Sequence, residues 1–326
     1  MNIFLEKEFI ENFELMYVDN AHIIEWELLY TLFTEYTNIN LFINTKEEDF
    51  EKIIKSSQIL ITLSDINPNI KIYSDLKNEI QNSNAIQTLV FTEYEKDWFK
   101  EIDCNTILHF TYSNFAEKLK EFIKRNHLEF DLSDKESKFN WKLFHFIADS
   151  SNVIFISDPY ILKDKDGQKI SQNLIPLLKN NLRNDQKYKV FIISDLKGVK
   201  VDKILQVLYS KLADFKIKFY IINIIKDNKI MNFHDRLLYT NYSITTSGIG
   251  FNIDPKKTYN SEISTKTIFY KKTYKKYVNH FMLIGKYIDK LEKYSDYNNS
   301  FKTNTDSLYE EYRSLNIIMS NNDRDI

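Results

Sequence analysis

Asn232-Phe233-His234-Asp235-Arg236-Leu237-Leu238-Tyr239-Thr240-Asn241-Tyr242-Ser243-Ile244-Thr245-Thr246-Ser247-Gly248-Ile249-Gly250-Phe251 places a histidine and a cation two residues apart at the head of an apolar, strand-like run. Alternate residues of an extended chain share a face, so Asp235 points away from the face that carries His234 and Arg236. A turn of small residues, Ser247, Gly248 and Gly250, closes the run, and the whole reads as a hairpin. Such an arrangement suits the handling of a phosphate: a cation to hold it, a histidine on the same face, and a glycine that lets backbone amides approach.

Working outward from this hairpin, the flanking patterns alternate. Trp141–Ala148 reads as a helix and Asn152–Ser157 as a buried strand ending at Asp158-Pro159-Tyr160. Loop Lys163–Lys169, helix Ser171–Leu182, strand Lys189–Ser194, helix Lys203–Phe215 and strand Lys218–Ile225 lead up to the hairpin. Ile268–Tyr270 is expected to add a strand, and Lys275–Tyr294 to close the domain as an amphipathic helix. The earlier half shows the same alternation. Helices are expected at Ile23–Thr34, Lys46–Ser56, Tyr73–Ile80, Tyr94–Ile102 and Phe115–Arg125, and strands at Leu41–Asn44, Gln58–Ser64, Ile86–Thr92 and Thr106–Thr111. Strands alternating with helices predict an α/β protein with a mostly parallel sheet. The polar stretch Asn126–Asn140 marks the boundary. It divides the chain into an acidic α/β domain over residues 1–130, a second α/β domain over 131–295 and a polar tail over 296–326.

Charge sharpens this division. The chain of 326 residues has a net charge of only −2, yet residues 1–130 hold 12 Lys/Arg against 23 Asp/Glu, and residues 131–326 hold 32 against 23. The halves therefore carry −11 and +9, which suggests an anionic partner for the second. Attraction between the halves, or head-to-tail dimerisation, explains the same totals. The single Cys104 excludes an intramolecular disulfide and a cysteine-ligated metal cluster, and fits a reducing compartment. Met1–Glu8 lacks the pattern of a signal peptide, and no run reaches the length of a membrane span, so a cytoplasmic protein without a membrane partner is expected. The other histidines, His22, His109, His127, His145 and His280, lack metal-ligand spacing. No Walker loop, dinucleotide fingerprint or nucleophile elbow occurs, and neither metal nor cofactor is expected.

On His234, Arg236, Asn241, Ser247 and Gly248, with Asp158-Pro159-Tyr160 upstream, residues 140–294 resemble the phospholipase D-like fold, in particular its bacterial stand-alone form with a single motif. Members of that superfamily carry His-x-Lys-x4-Asp on a strand before a Gly/Ser turn. The resemblance implies a phosphodiesterase site in which one histidine attacks phosphorus and a second, facing it, protonates the leaving oxygen. A single copy of the motif implies that the second histidine comes from a symmetric dimer. It further implies that Asp158, Ser247 and Gly248 border the phosphate, and it suggests a setting in bacterial antiviral defence or a mobile-element system.

Two positions depart from the pattern. Arg236 replaces the lysine and holds phosphate bidentately, but its planar head is broader. Asn241 replaces the aspartate and supplies no charge to an imidazolium, and a comparable exchange in a serine-protease triad costs about 10⁴ in rate. These departures favour holding a phosphate over cutting its ester. A hydrogen-bonded His234–Arg236 pair without a ligand remains the plain alternative, as do a hairpin using Gly248 and Gly250 for positive φ and a turn-forming Asp158 before proline.

The run that follows bears on what is held. Lys256, Lys257, Lys266, Lys271, Lys272, Lys275 and Lys276 face a single Glu262, with Tyr259, Tyr270, Tyr274 and Tyr277 interleaved. Lysines displace counterions from a nucleic acid backbone and tyrosines stack on unpaired bases. A solvated helix face with core tyrosines would look the same. The expected function is nucleic acid binding through His234, Arg236 and these lysines, with the acidic first domain taking a protein partner. A metal-independent nuclease acting as a dimer is the second reading, and an interaction subunit with a vestigial site the third.

Overall fold

The computed structural model describes residues 1–67, 70–81, 86–100, 106–134, 136, 138–147, 151–163, 169–224 and 235–295. They form an α/β protein with two separate sheets, and the chain divides into two units. Unit 1 contains Met1–Arg125 together with Ile268–Lys275, and unit 2 begins with Asn126–Thr267. No helix among the described residues is long and apolar enough to cross a membrane.

Unit 1 runs β1 (Asn2–Glu6), α1 (Lys7–Asn20), α2 (Ile24–Glu35), β2 (Asn40–Asn44), α3 (Phe50–Lys55), α4 (Gln58–Ile66), β3 (Ile70–Tyr73), α5 (Leu76–Gln81), β4 (Thr88–Thr92), β5 (Ile107–Thr111) and α6 (Phe115–Arg125). All strand pairs are parallel, in the order β3-β2-β1-β4-β5. Parallel neighbours need crossovers, so helices cover both faces and every residue of β1 and β4 is buried. On one face Phe9, Phe13, Trp26, Phe33, Phe91 and Phe115 interlock, with Phe13 stacked on Trp26 at 4.9 Å. On the other, Phe4, Phe42, Tyr73, Leu76, Ile80, Val90 and Phe99 form a second cluster. Ile268–Lys275 is tied into the same unit by aromatic groups. Phe269 meets the rings of Phe110 and Phe122, Tyr274 stacks on Tyr36 at 4.4 Å, and its hydroxyl donates to Thr37 O at 2.7 Å.

Unit 2 comprises β6 (Leu128–Asp131), β7 (Val153–Ser157), a π-turn at Ile170–Leu174, α7 (Ile175–Lys179), β8 (Lys187–Ser194), α8 (Val201–Lys211), β9 (Lys216–Asn223), β10 (Arg236–Tyr239), β11 (Ser243–Ser247) and β12 (Glu262–Thr267). A long helix, α9 (Lys271–Ser295), follows, and its residues from 276 onward group with unit 2. The sheet order is β6-β12-β11-β10-β7-β8-β9, parallel within β7-β8-β9 and antiparallel from β10 outward. Alternation sorts its two faces. Phe155, Phe191, Tyr220 and Tyr239 lie on the α9 side, where Phe155 and Tyr239 both meet Phe281. Ile154, Ile156, Val190, Ile192 and Leu238 join the core that includes Leu177, Leu178 and Leu208 of α7 and α8.

Several sequence expectations change. Gln58–Ser64, expected as a strand, is helix α4. Ser57 caps it by accepting from Leu60 N at 3.2 Å, and Ile59, Leu60 and Leu63 are buried at helical spacing. Ile268–Tyr270 is a turn, and the last strand is β12 before it. Asn126–Asn140 carries β6, whose backbone pairs with β12 despite its polar composition. Of Tyr94–Ile102, residues 94–100 are described and only Asp97–Lys100 is helical, as a single 3₁₀ turn, and Trp141–Phe144 is likewise 3₁₀. The central strand β1 and the helix that follows it precede every element read from the sequence. The tail 296–326 and His234 lie outside the described residues.

His109 on β5 gives unit 1 a pH dependence. Burial, with Lys118 and Lys96 adding to it, lowers its pKa from 6.5 to about 3. The unfolded chain therefore takes up a proton that the folded unit refuses, and stability falls as pH drops from 6.5 toward 3, by about 1.4 kcal/mol per unit. Urea unfolding of His109→Phe between pH 4 and 7 is expected to show a flatter profile than wild type. An unchanged slope would mean that His109 is protonated in the folded unit.

Candidate functional site

Of the residues singled out in the sequence, Arg236, Asp158, Ser247 and Gly248 meet at the edge of the unit 2 sheet where β7 ends and β10 begins. This is the carboxyl end of the parallel strands, where open α/β sheets gather their ligands. The register sets Arg236 opposite Ser247 of β11, and Leu237 opposite Ser157 of β7. Arg236 shares a face with Leu238 and so points to the α7–α8 side of the sheet. Its Nη1 donates to Gly248 O, and its guanidinium carbon stands 5.7 Å from the centroid of the Tyr160 ring. The Arg236 Nε is buried and has no acceptor among the described residues.

Asp158 organises this edge. It is 1% exposed; Oδ1 accepts from Tyr160 N at 2.8 Å and Oδ2 from Phe251 N at 2.7 Å. Burial pushes its carboxyl above the ordinary carboxylate range, while these N–H bonds and the charge of Arg236 pull it back. A buried acid whose oxygens are already taken repels a phosphate, so Asp158 positions the loop and Arg236 and is not itself an anion-binding group. Around it, Asn173 accepts from Ile253 N at 3.0 Å and Asn252 donates to Tyr160 O at 2.7 Å. Asn173 sits in the π-turn, which holds its side chain toward this loop.

The turn after β11 is built differently from expectation. Ser247 Oγ donates to Gly250 O at 2.7 Å, and Gly248 N to Glu262 O at 3.4 Å, so these donors serve the fold and not a phosphate. At Gly248 a Cβ would meet only the hydroxyl of Ser261, which a rotation of that side chain clears, so this position does not itself demand glycine. Gly250 is required twice. Its φ is +90°, and a Cβ would overlap Asp158 Oδ2 and approach Arg236 Cδ to 2.7 Å.

Asn241 is elsewhere. It lies past the far end of β10, roughly 13 Å or more from Arg236 along the strand. It is fully buried; its Oδ1 accepts from Asn152 N and Val153 N at 3.2 and 3.1 Å, and its Nδ2 donates to Asn152 Oδ1 at 3.0 Å. That carboxamide secures the start of β7 and orients nothing at the Arg236 end.

The seven lysines fall into both units. Lys256, Lys257, Lys266 and Lys276 belong to unit 2 and are exposed. Lys257 pairs with Asp254 at 3.6 Å. Lys271, Lys272 and Lys275 belong to unit 1, where Lys271 pairs with Glu35. The interleaved tyrosines are not stacking platforms as a set. Tyr274 and Tyr277 are buried, with Tyr277 donating to Thr240 O at 2.8 Å, and Tyr259 accepts from Asp254 N at 3.0 Å. Among the described residues, no group of three or more His, Cys, Asp or Glu side chains could hold a metal ion. Sequence reasoning missed Asn173 and the roles of Tyr160 and Asn252. For Tyr160 the signal was its place two residues after a strand-terminal acid, whereas nothing local marks Asn173.

No protein-family model matches this chain, and neither does any curated protein sequence.

Gly250→Ala is expected to destabilise the protein by about 1–3 kcal/mol from backbone strain alone, with a further loss from the clash at Asp158. Gly198→Ala supplies the control, since Gly198 has φ +78° and open space around it. Urea unfolding should show Gly250→Ala the more costly of the two. Equal costs would show that the packing of Gly250 on Asp158 contributes nothing.

Proposed function

We propose that unit 2 binds a phosphodiester-bearing polyanion, nucleic acid in particular, through Arg236. The observation that carries this reading is the state of the Arg236 side chain. Its guanidinium is fixed by Gly248 O and the Tyr160 ring at the carboxyl edge of the sheet, on a residue that is only half-buried, and Gly248 O takes just one of its N–H donors. A preorganised arginine with spare donors loses little entropy on taking a phosphate. The exposed Lys256, Lys257, Lys266 and Lys276 of the same unit, and the excess of basic residues after position 130, supply the non-specific attraction that a long polyanion needs. The likeness of this stretch to phospholipase D-like motifs supports the same chemistry. Holding is favoured over cutting because Asn241, the motif's counterpart of the orienting acid, is committed to the start of β7.

The test is anisotropy of labelled single- and double-stranded DNA and RNA with the full chain in EDTA at low salt. Binding should weaken steeply with salt, and Arg236→Ala should weaken it about tenfold or more, the worth of a charge-assisted phosphate contact. Arg236→Lys, which keeps the charge, should recover part of that loss. EDTA-resistant cleavage abolished by His234→Ala would replace this reading with a nuclease. Absence of binding to every polyanion would leave an interaction subunit.

A further inference from the structure

A separate site lies wholly within unit 1. Between the edge strand β5, helix α6 and the 3₁₀ turn Asp97–Lys100 is a cavity of about 410 Å³, large enough for a small organic ligand. Its walls include Phe99, His109, Phe110 and Phe122, with Lys118 and Arg125 of α6 among the polar groups. We propose that this cavity binds a mononucleotide, its base stacked on His109 and its phosphate held by Lys118.

The stacking surface is already assembled. Trp98 lies on Phe99 at 4.5 Å with planes 16° apart, and His109 lies on Phe99 at 3.8 Å with planes 8° apart. Two rings that close and that parallel do not fit side by side on one phenyl face, so Phe99 is sandwiched and His109 ends the stack. No other described ring packs on His109, and a planar base extends the series by one.

Hydrogen bonding gives the terminal ring a polarity. Thr92 Oγ1 donates its single hydrogen to Tyr94 O at 2.7 Å. At its 2.7 Å contact with His109 Nε2 the hydroxyl must therefore accept, which places the imidazole hydrogen on Nε2. With the ring neutral, Nδ1 is left as an acceptor without a donor among the described residues, suited to an exocyclic amine or ring N–H. Glu95 and Glu121, which also line the cavity, offer further acceptors for base edges. Lys118 has no carboxylate partner among the described residues, and a phosphate supplies one. An aromatic wall, an acceptor and a cation together fit a nucleotide better than an aliphatic acid, which leaves the stack unused, or an unphosphorylated ring, which leaves Lys118 unpaired.

The experiment is calorimetric titration of the full chain with the four common nucleoside monophosphates, with the corresponding nucleosides and with inorganic phosphate. At least one monophosphate is expected to bind, more tightly than its nucleoside and than phosphate. Lys118→Ala should weaken the monophosphate about tenfold and bring it level with the nucleoside. His109→Ala should weaken both. His109→Phe, which keeps an aromatic face, should retain stacking and lose the preference among bases. Arg236→Ala should leave this binding unchanged, which separates it from the polyanion site of unit 2. No monophosphate binding at millimolar concentration overturns the proposal. So does binding that Lys118→Ala and His109→Ala leave intact, or that Arg236→Ala abolishes.

Discussion

The buried carboxyl of Asp158 is the constraint on which the edge of unit 2 depends. It terminates β7, accepts from Tyr160 N on its own turn, and reaches across to Phe251 N on the loop after β11. One group thereby fixes two chain segments 93 residues apart in sequence. Burial of an acid is costly, and here the N–H groups of Phe251, Tyr160 and Ile161 and the nearby Arg236 charge offset the cost. Such an arrangement is strongly destabilised by losing any one member, because the others are left buried and unpaired. Gly250 follows from the same demand. With Asp158 Oδ2 pressed against its backbone, no side chain fits there.

The same physics separates positioning from binding. Asp158, Asn173, Ser247, Gly248 and Asn241 all spend their polar groups inside the fold. Arg236 donates to Gly248 O, and its Nε is buried with no acceptor among the described residues. In unit 1 the comparable residue is His109. Its Nε2 is committed to Thr92 while Nδ1 is left over. In both places one part of the side chain is anchored by the fold while another nitrogen has no partner among the described residues.

Much of the fold was legible where local pattern and tertiary burial agree. Phe115–Arg125 is helical in sequence and in structure because Phe115, Leu119 and Phe122 share one face and that face is the buried one. Gln58–Ser64 misled because an unbroken apolar run fits a buried strand and a buried helix equally, and the deciding group, the Ser57 cap, lies just outside it. The strand Asn2–Glu6 escaped notice because it is short and passes into α1 without a turn, although it is the centre of its sheet. Ile268–Lys275 joins unit 1 through aromatic contacts with residues more than 100 positions away, which no local window detects.

By itself, the sequence determined the α/β class, the extended run that carries Arg236, though not the turn at residues 240–242 that splits it into β10 and β11, and the segregation of acid and base along the chain. Each of these follows from side-chain periodicity or from charge, which act over a few residues or over whole segments. Only the tertiary structure decided that Asn241 secures a strand, that Asp158 is a brace, and that Tyr274 and Tyr277 are core. Those roles depend on which distant N–H, carbonyl or ring each side chain meets, and a hydrogen bond or a ring contact has no counterpart in the spacing of letters.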